Sequence, residues 1–184
     1  MVKRDFIRNI LLTILAVLVL LLLRIFVFST YRVMREDANS YLRTGDLVTI
    51  SKKEEPAYKD FVVYRVAGKS HIGRIIAKPK DSVTYMDDIF YLNNKVEEQS
   101  YIEKLKSKYH SKNGENPFTA DFTIATLTKG KYQQLPKEKY LILNDNRTNT
   151  KDSRTFGLIK RSQIKGVVTF RLLPMKDFGF VKKE

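Results

Sequence analysis

Two polar stretches carry the side chains able to do chemistry. The first, LILNDNRTNTKDSRTFGLI from Leu141 to Ile159, holds Asp145, Arg147, Asp152 and Arg154 at close spacing. Carboxylates and guanidinium groups so placed pair through charge-assisted bonds. Their plain reading is a turn between two strands whose charges satisfy one another. The second, RVMREDANSYLRTGDLVTI from Arg32 to Ile50, sets Arg35, Glu36 and Asp37 ahead of a Gly45-Asp46 turn that feeds a strand. Asp37 is expected to be inert or to pair with Arg35 or Arg74 as a charged recognition point. Glu36, Asp37 and Asp46 are hard oxygen donors, but their spacing is not that of a cation loop. No metal and no cofactor is expected. His71 and His110 stand alone and read as surface residues.

The elements that position these groups follow from hydropathy and charge. Ile10 to Phe28 is apolar except for Thr13 and Arg24, about the length a bilayer core requires of a helix. Arg24 lies near the far end, where its stem reaches the interface. Lys3, Arg4 and Arg8 precede the run, so the N-terminus is expected to stay in the cytoplasm. The sequence VFSTYR lacks a small-x-small cleavage site. The expected layout is a cytoplasmic segment 1–9, an uncleaved membrane anchor 10–28 and an extracytoplasmic domain 29–184.

The chain has 34 Lys+Arg against 20 Asp+Glu, a formal charge of +14. Such a surplus suits nucleic acid, an anionic membrane surface or a wall polymer. No nucleic-acid-binding motif accompanies it, so a nucleic-acid partner is not expected. There is no cysteine, which excludes disulfides and thiolate metal sites.

Beyond Asp46, short apolar or alternating runs stand between turn signals. DLVTIS, FVVYRV, IGRIIA, SVTYM, IFYLNN, KYLILN and GVVTFRLL read as strands. Asn93-Asn94 suits a tight hairpin turn. SYIEKLKSKYH has Ile102, Leu105 and Tyr109 at helical spacing and predicts a short surface helix. The expectation is a mostly-β domain on one N-terminal transmembrane helix.

The spacing DNR…DSR…G from Asp145 to Gly157 resembles the C-terminal signature of type I signal peptidases. TGDLV, KDFVVYR, GRIIAKPKDSV and GVVTFRLL resemble that family's other segments, in the same order. The resemblance implies a coiled, barrel-like β-sheet domain lying on the outer leaflet. It implies a peptidase whose serine attacks the scissile carbonyl while a neutral lysine takes its proton, the lysine being tuned by burial. Residue by residue, the serine position falls on Asp37 and the lysine position on Gly73. Arg35 falls on the oxyanion-donor position of some members, Ala38 and Ser40 on the Met and Pro after the serine, Asn144 on a glycine, and Thr150 on the hydroxyl that orients the lysine. Arg74, Asp145, Arg147, Asp152, Arg154 and Gly157 match as framework.

A carboxylate has no proton to surrender, and glycine has no side chain to act as base. Ser40 becomes a nucleophile only if three residues are lost before Gly45. Lys78 falls on the opposite strand face from Gly73, and Lys69 in the turn AGKS. Asp and Gly in the two dyad positions resemble the non-proteolytic streptococcal pilus-assembly members of the family. That resemblance implies a membrane-anchored helper of sortase-driven polymerisation, with pilin or sortase as its partner. The apolar strand FVVYRV is then expected to line a groove for an extended peptide. The alternative is an active signal peptidase cleaving secreted preproteins.

Overall fold

The computed structural model describes residues 2–183. Helix α1 runs Val2–Phe26, and its stretch Arg4–Leu22 is long and apolar enough to cross a membrane. Its described apolar side chains are solvent-facing rather than packed on the domain, as a lipid-facing helix requires. The helix ends two residues before the sequence boundary, because Phe28 already pairs with Ser51 across a sheet.

The domain is built on two antiparallel sheets. The larger takes in β1 (Phe28–Arg32), β2 (Leu47–Ser51), β3 (Phe61–Val66), β4 (Lys69–Ala77), β9 (Lys139–Leu143), β10 (Ile159–Lys160), β11 (Ile164–Leu173) and β12 (Gly179–Phe180). Its order is β1-β2-β11-β3-β4-β9-β10, with β12 on β11. The smaller sheet is β7 (Lys95–Val96), β6 (Ile89–Leu92), β5 (Val83–Met86) and β8 (Phe122–Thr123). Beside it lies α2, Glu103–Asn113, the predicted surface helix. Two single-turn helices complete the fold, α3 (Ile124–Leu127) and α4 (Ser153–Phe156).

Each strand read from hydropathy is present, and the reason is legible residue by residue. FVVYRV is buried at Phe61, Val62, Val63 and Tyr64 on both faces, as a central strand covered on two sides must be. One face packs Phe61 and Val63 with Val33, Leu42, Val48, Ile50 and Ile72. The other packs Val62 and Tyr64 with Ile75, Ile142, Ile164 and Val167. Asn93 and Asn94 take φ of 54° and 62° between β6 and β7, the left-handed pair a two-residue hairpin needs. The strands β1 and β12 and the two single-turn helices carry no period of their own. The two strands form because neighbouring strands supply their hydrogen bonds, whereas the two helical turns are held by their own caps, Thr123 with Thr126 and Asp152 with Arg154 N–H.

Candidate functional site

The two positions that the resemblance assigns to the dyad meet. Asp37 and Gly73 line one cavity of about 140 Å³ with Arg35, Phe61, Ile72, Asn144 and Asp145. Asp37 closes a 3-10 turn over Arg35–Asp37, and Gly73 lies in the middle of β4.

Asp37 pairs with neither Arg35 nor Arg74, so the second of its two sequence readings is not what the structure holds. It is buried at 6% exposure. One carboxylate oxygen accepts the backbone N–H of Ile72 at 3.0 Å, and the other accepts the Tyr31 hydroxyl at 2.8 Å. Burial pushes its carboxyl above the usual range, against the lowering effect of those two bonds and of His71. The Tyr31 phenol is raised well beyond its ordinary value by burial and by this carboxylate.

The space a lysine side chain would need at position 73 is filled. A Cβ on Gly73 would stand 2.5 Å from Ile142 Cγ2, and 3.3 Å from both the Leu143 carbonyl oxygen and Tyr64 Cε1. Ile142 and Tyr64 are both fully buried. A side chain at position 73 would therefore meet β9 and β3 at its first carbon.

Arg74 is committed elsewhere. Its Nε and Nη2 donate to the two oxygens of Asp145 at 2.7 and 2.8 Å, and Nη1 donates to the carbonyls of Lys59 and Lys183. Its guanidinium is stacked between Phe61 and Tyr101, 4.1 and 4.0 Å from their ring centres. Both charges of the pair are sealed from solvent, so this is a two-pronged ion pair in a nearly dry site.

The other framework charges do not form one mutual cluster. Asp152 is fully buried, pairs with Arg154, and accepts the N–H groups of Asn144 and Arg154. Arg154 also donates to the carbonyls of Arg147 and Asn149, tying the loop back on itself. Arg147 turns away to Tyr85 and Gln99 beside the small sheet; burial works against its charge, but Tyr85, Tyr101 and Asp145 outweigh it and raise the guanidinium above its ordinary value. Thr150 is exposed, its carbonyl accepting from Asp152 N and Thr155 Oγ1. It does not line the cavity with Gly73.

The histidine reading needs correction. His71 is buried at 8% exposure, its ring between Tyr64 and Phe156 at 5.7 and 5.3 Å. It alternates with Ile72 on a strand covered on both faces, so the tertiary packing buries it. His110 is half-buried against Asp88 at 3.2 Å. Among the described residues no three His, Cys, Asp or Glu side chains gather to hold a metal ion.

Sequence reasoning missed Tyr31, Ile142 and Tyr64 as members of the site. Tyr64 lies within FVVYRV, Ile142 within LILNDNR and Tyr31 just before Arg32, but nothing in those segments sets the three beside positions 37 and 73. A trough of about 720 Å³ lies next to the cavity, lined by Tyr31, Met34, Arg35, Glu36, Lys69 and Ser70. The strand expected to line a peptide groove, FVVYRV, instead contributes only Phe61 to the cavity wall.

Asp37→Asn is expected to raise thermal stability at neutral pH. The folded-state pKa of Asp37 lies above its unfolded value, so its contribution is present in acid and is lost as pH rises through the folded value. Asparagine stays neutral, keeps an acceptor for Ile72 N–H, and offers a donor to the Tyr31 oxygen. The gain in melting temperature should shrink on going from about pH 7 to about pH 3, where both forms are neutral. A gain that grows in acid would contradict this sign.

The sequence matches the family described as signal peptidase, peptidase S26, over residues 6–173. It is similar to signal peptidase I of Bacillus caldolyticus, with 35% identity over 170 residues, covering 90% of each chain. It is also similar to signal peptidase IB of Staphylococcus aureus (strain MRSA252), with 31% identity over 186 residues, covering 97% of this chain and 95% of that one. The crystal structure of a signal peptidase I from Enterococcus faecalis V583 superposes with a TM-score of 0.57 at 31% identity. It covers 63% of this chain and 98% of that chain.

Proposed function

This chain belongs to the S26 signal peptidase family, and from that premise we propose that it is a membrane-anchored pseudoenzyme that assists sortase-dependent pilus assembly by binding pilin or sortase. The observation that carries the non-proteolytic half is the meeting of Asp37 and Gly73 in one cavity. A carboxylate already engaged by Tyr31 and Ile72 supplies no nucleophilic hydroxyl, and position 73 has neither an amine nor room for one. The pilus role and its partners rest on the resemblance of the Asp/Gly pair to the streptococcal helpers. The N-terminal helix supports membrane anchoring. The basic residues before it support a cytoplasmic N-terminus with the domain outside.

A second reading, an active signal peptidase, is favoured by the names of the relatives. It requires a displaced dyad. Ser40 and Lys78 are both exposed and neither lines the cavity, while Lys69 lines the neighbouring trough.

Two assays separate the readings. The full chain in detergent should leave a secretory preprotein uncut, with Asp37→Ala equally inactive. Deleting the chain in a pilus-forming host should abolish the high-mass pilin polymers. Cleavage that survives Asp37→Ala but is lost in Ser40→Ala would return the chain to the active peptidases. Normal polymers without the chain would remove the helper role.

A further inference from the structure

Strands β9 and β10 close one end of the large sheet, and their register sets two like charges face to face. Lys139 and Lys160 are directly opposed partners, as are Tyr140 and Ile159. Opposed side chains on an antiparallel pair stand about 4.5–5.5 Å apart at Cβ, and like charges so placed repel. Alternation along each strand sorts the two pairs onto opposite faces. Tyr140 and Ile159 enter the core, so Lys139 and Lys160 share the other face.

A third charge joins them. The ammonium groups of Lys131 and Lys139 lie 5.3 and 5.4 Å from the centre of the one Tyr132 ring, each within cation–π reach. Lys129 and Lys137, both exposed, stand two residues before Lys131 and Lys139. Among the described residues no carboxylate forms an ion pair with any of the five. Glu55 is engaged by Arg161, and Glu138 acts on Tyr140, on the other face. A like-charge pair with no counter-charge in its own chain breaks a local rule, and such breaks mark functional places. Lysine meets phosphate as a point charge, whereas arginine serves forked recognition. Five lysines along a loop and two strands exceed what one phosphate can neutralise, so the matching partner carries phosphates in series. The patch also lies away from the bilayer. Helix α1 hands over to β1, first in the sheet order, and β10 is last, six strand spacings or about 29 Å along the sheet. No exposed large apolar side chain stands between Val96 and Leu173 among the described residues, so this face has nothing to insert into lipid.

We propose that the face bearing Lys131, Lys139 and Lys160 around Tyr132 is a binding site for a phosphodiester-linked anionic polymer of the cell wall. This rests on the outward placement of the domain, and it is independent of the missing dyad and of the helper role. The polymer supplies the counter-charge that the chain lacks there. Tyr132 holds two of the ammonium groups at one place, and the β9–β10 register holds the third beside them. The domain is then fixed at both edges of its large sheet, by the anchor at β1 and by the polymer at β10.

The test uses the full chain in phosphatidylcholine nanodiscs, titrated into fluorescein-labelled poly(glycerol phosphate) and followed by anisotropy. Binding should weaken about tenfold or more between about 50 and 200 mM salt, as displaced counterions require. The double variant Lys139→Gln with Lys160→Gln should bind about tenfold more weakly at the lower salt and show a shallower salt dependence. The control removes the same charge elsewhere, from Lys104 and Lys108, both exposed on α2. Lys104→Gln with Lys108→Gln should bind like the wild type. Lys160→Gln relieves the cross-strand repulsion, so without polymer it should melt no lower than the wild type. Polyglutamate of matched charge and phosphatidylglycerol vesicles, added as competitors, should displace the polymer poorly.

Equal loss of binding in the α2 control would show that net charge alone holds the polymer, and would overturn the site. So would absence of binding, or a Lys160→Gln variant that melts clearly lower, which would make that lysine a structural residue. Strong displacement by polyglutamate would assign the face to acidic polypeptide, and strong displacement by the vesicles would assign it to the membrane surface. Either result overturns the wall-polymer assignment. The polymerisation assay is separate, since normal pilin polymers without the chain would remove the helper role and leave the lysine-dependent binding standing.

Discussion

Asp145→Ala is expected to lower the unfolding free energy by about 3–5 kcal/mol, the cost of leaving one member of a buried ion pair without its partner. Arg74 holds both Asp145 oxygens and lies with its guanidinium between Phe61 and Tyr101, sealed from solvent. Removing the carboxylate strands a charge that cannot move to water, because the Lys59 and Lys183 carbonyls and both rings hold it in place. Arg74→Lys should be nearly as damaging. A single ammonium cannot span the two carboxylate oxygens and the two carbonyls, nor stack as a plane. Urea unfolding of the full chain in detergent measures both. A loss under about 1 kcal/mol for Asp145→Ala would place the pair in the range of exposed salt bridges and contradict its burial.

The second large effect concerns catalysis. The double variant Asp37→Ser with Gly73→Lys is expected to remain inactive, leaving the full deficit of a missing dyad, about 10⁶-fold in turnover. The restored lysine meets Ile142 Cγ2 at its first carbon, and Tyr64 just beyond. Overpacking of this kind costs about 1–3 kcal/mol and displaces the side chain from any useful geometry. Adding Ile142→Ala removes the closest contact. The triple variant should recover part of the lost melting temperature, and it alone should show preprotein cleavage. A double variant that melts with the wild type and cleaves preprotein would show that Ile142 does not seal the site.

Much of the fold was legible because hydropathy is local. FVVYRV and KYLILN are apolar enough that only a central strand suits them, and Asn93-Asn94 tolerates the left-handed backbone its hairpin requires. The apolar N-terminal helix follows from composition alone. The pairing of framework charges was less legible. Asp152 with Arg154 is a neighbour pair readable from spacing, whereas Asp145 finds Arg74 across 71 residues. Arg147 finds Tyr85 and Gln99 in the other sheet. Nothing periodic announces such contacts.

The candidate site divides the same way. The sequence by itself determined that neither a hydroxyl nor an amine stands at positions 37 and 73, the two places that the resemblance assigns to the dyad. Only the tertiary structure decided what took their place. Asp37 was read as decoration or as a partner for arginine, yet it is bound to Tyr31 from β1 and to the backbone of Ile72 on β4. His71 was read as a surface residue, yet two rings cover it. Gly73 was read as an absence, yet Ile142 and Tyr64 fill its space. A side chain's chemistry is carried by its own atoms, while its burial, its partners and the room beside it belong to strands distant in sequence that the sheet brings together.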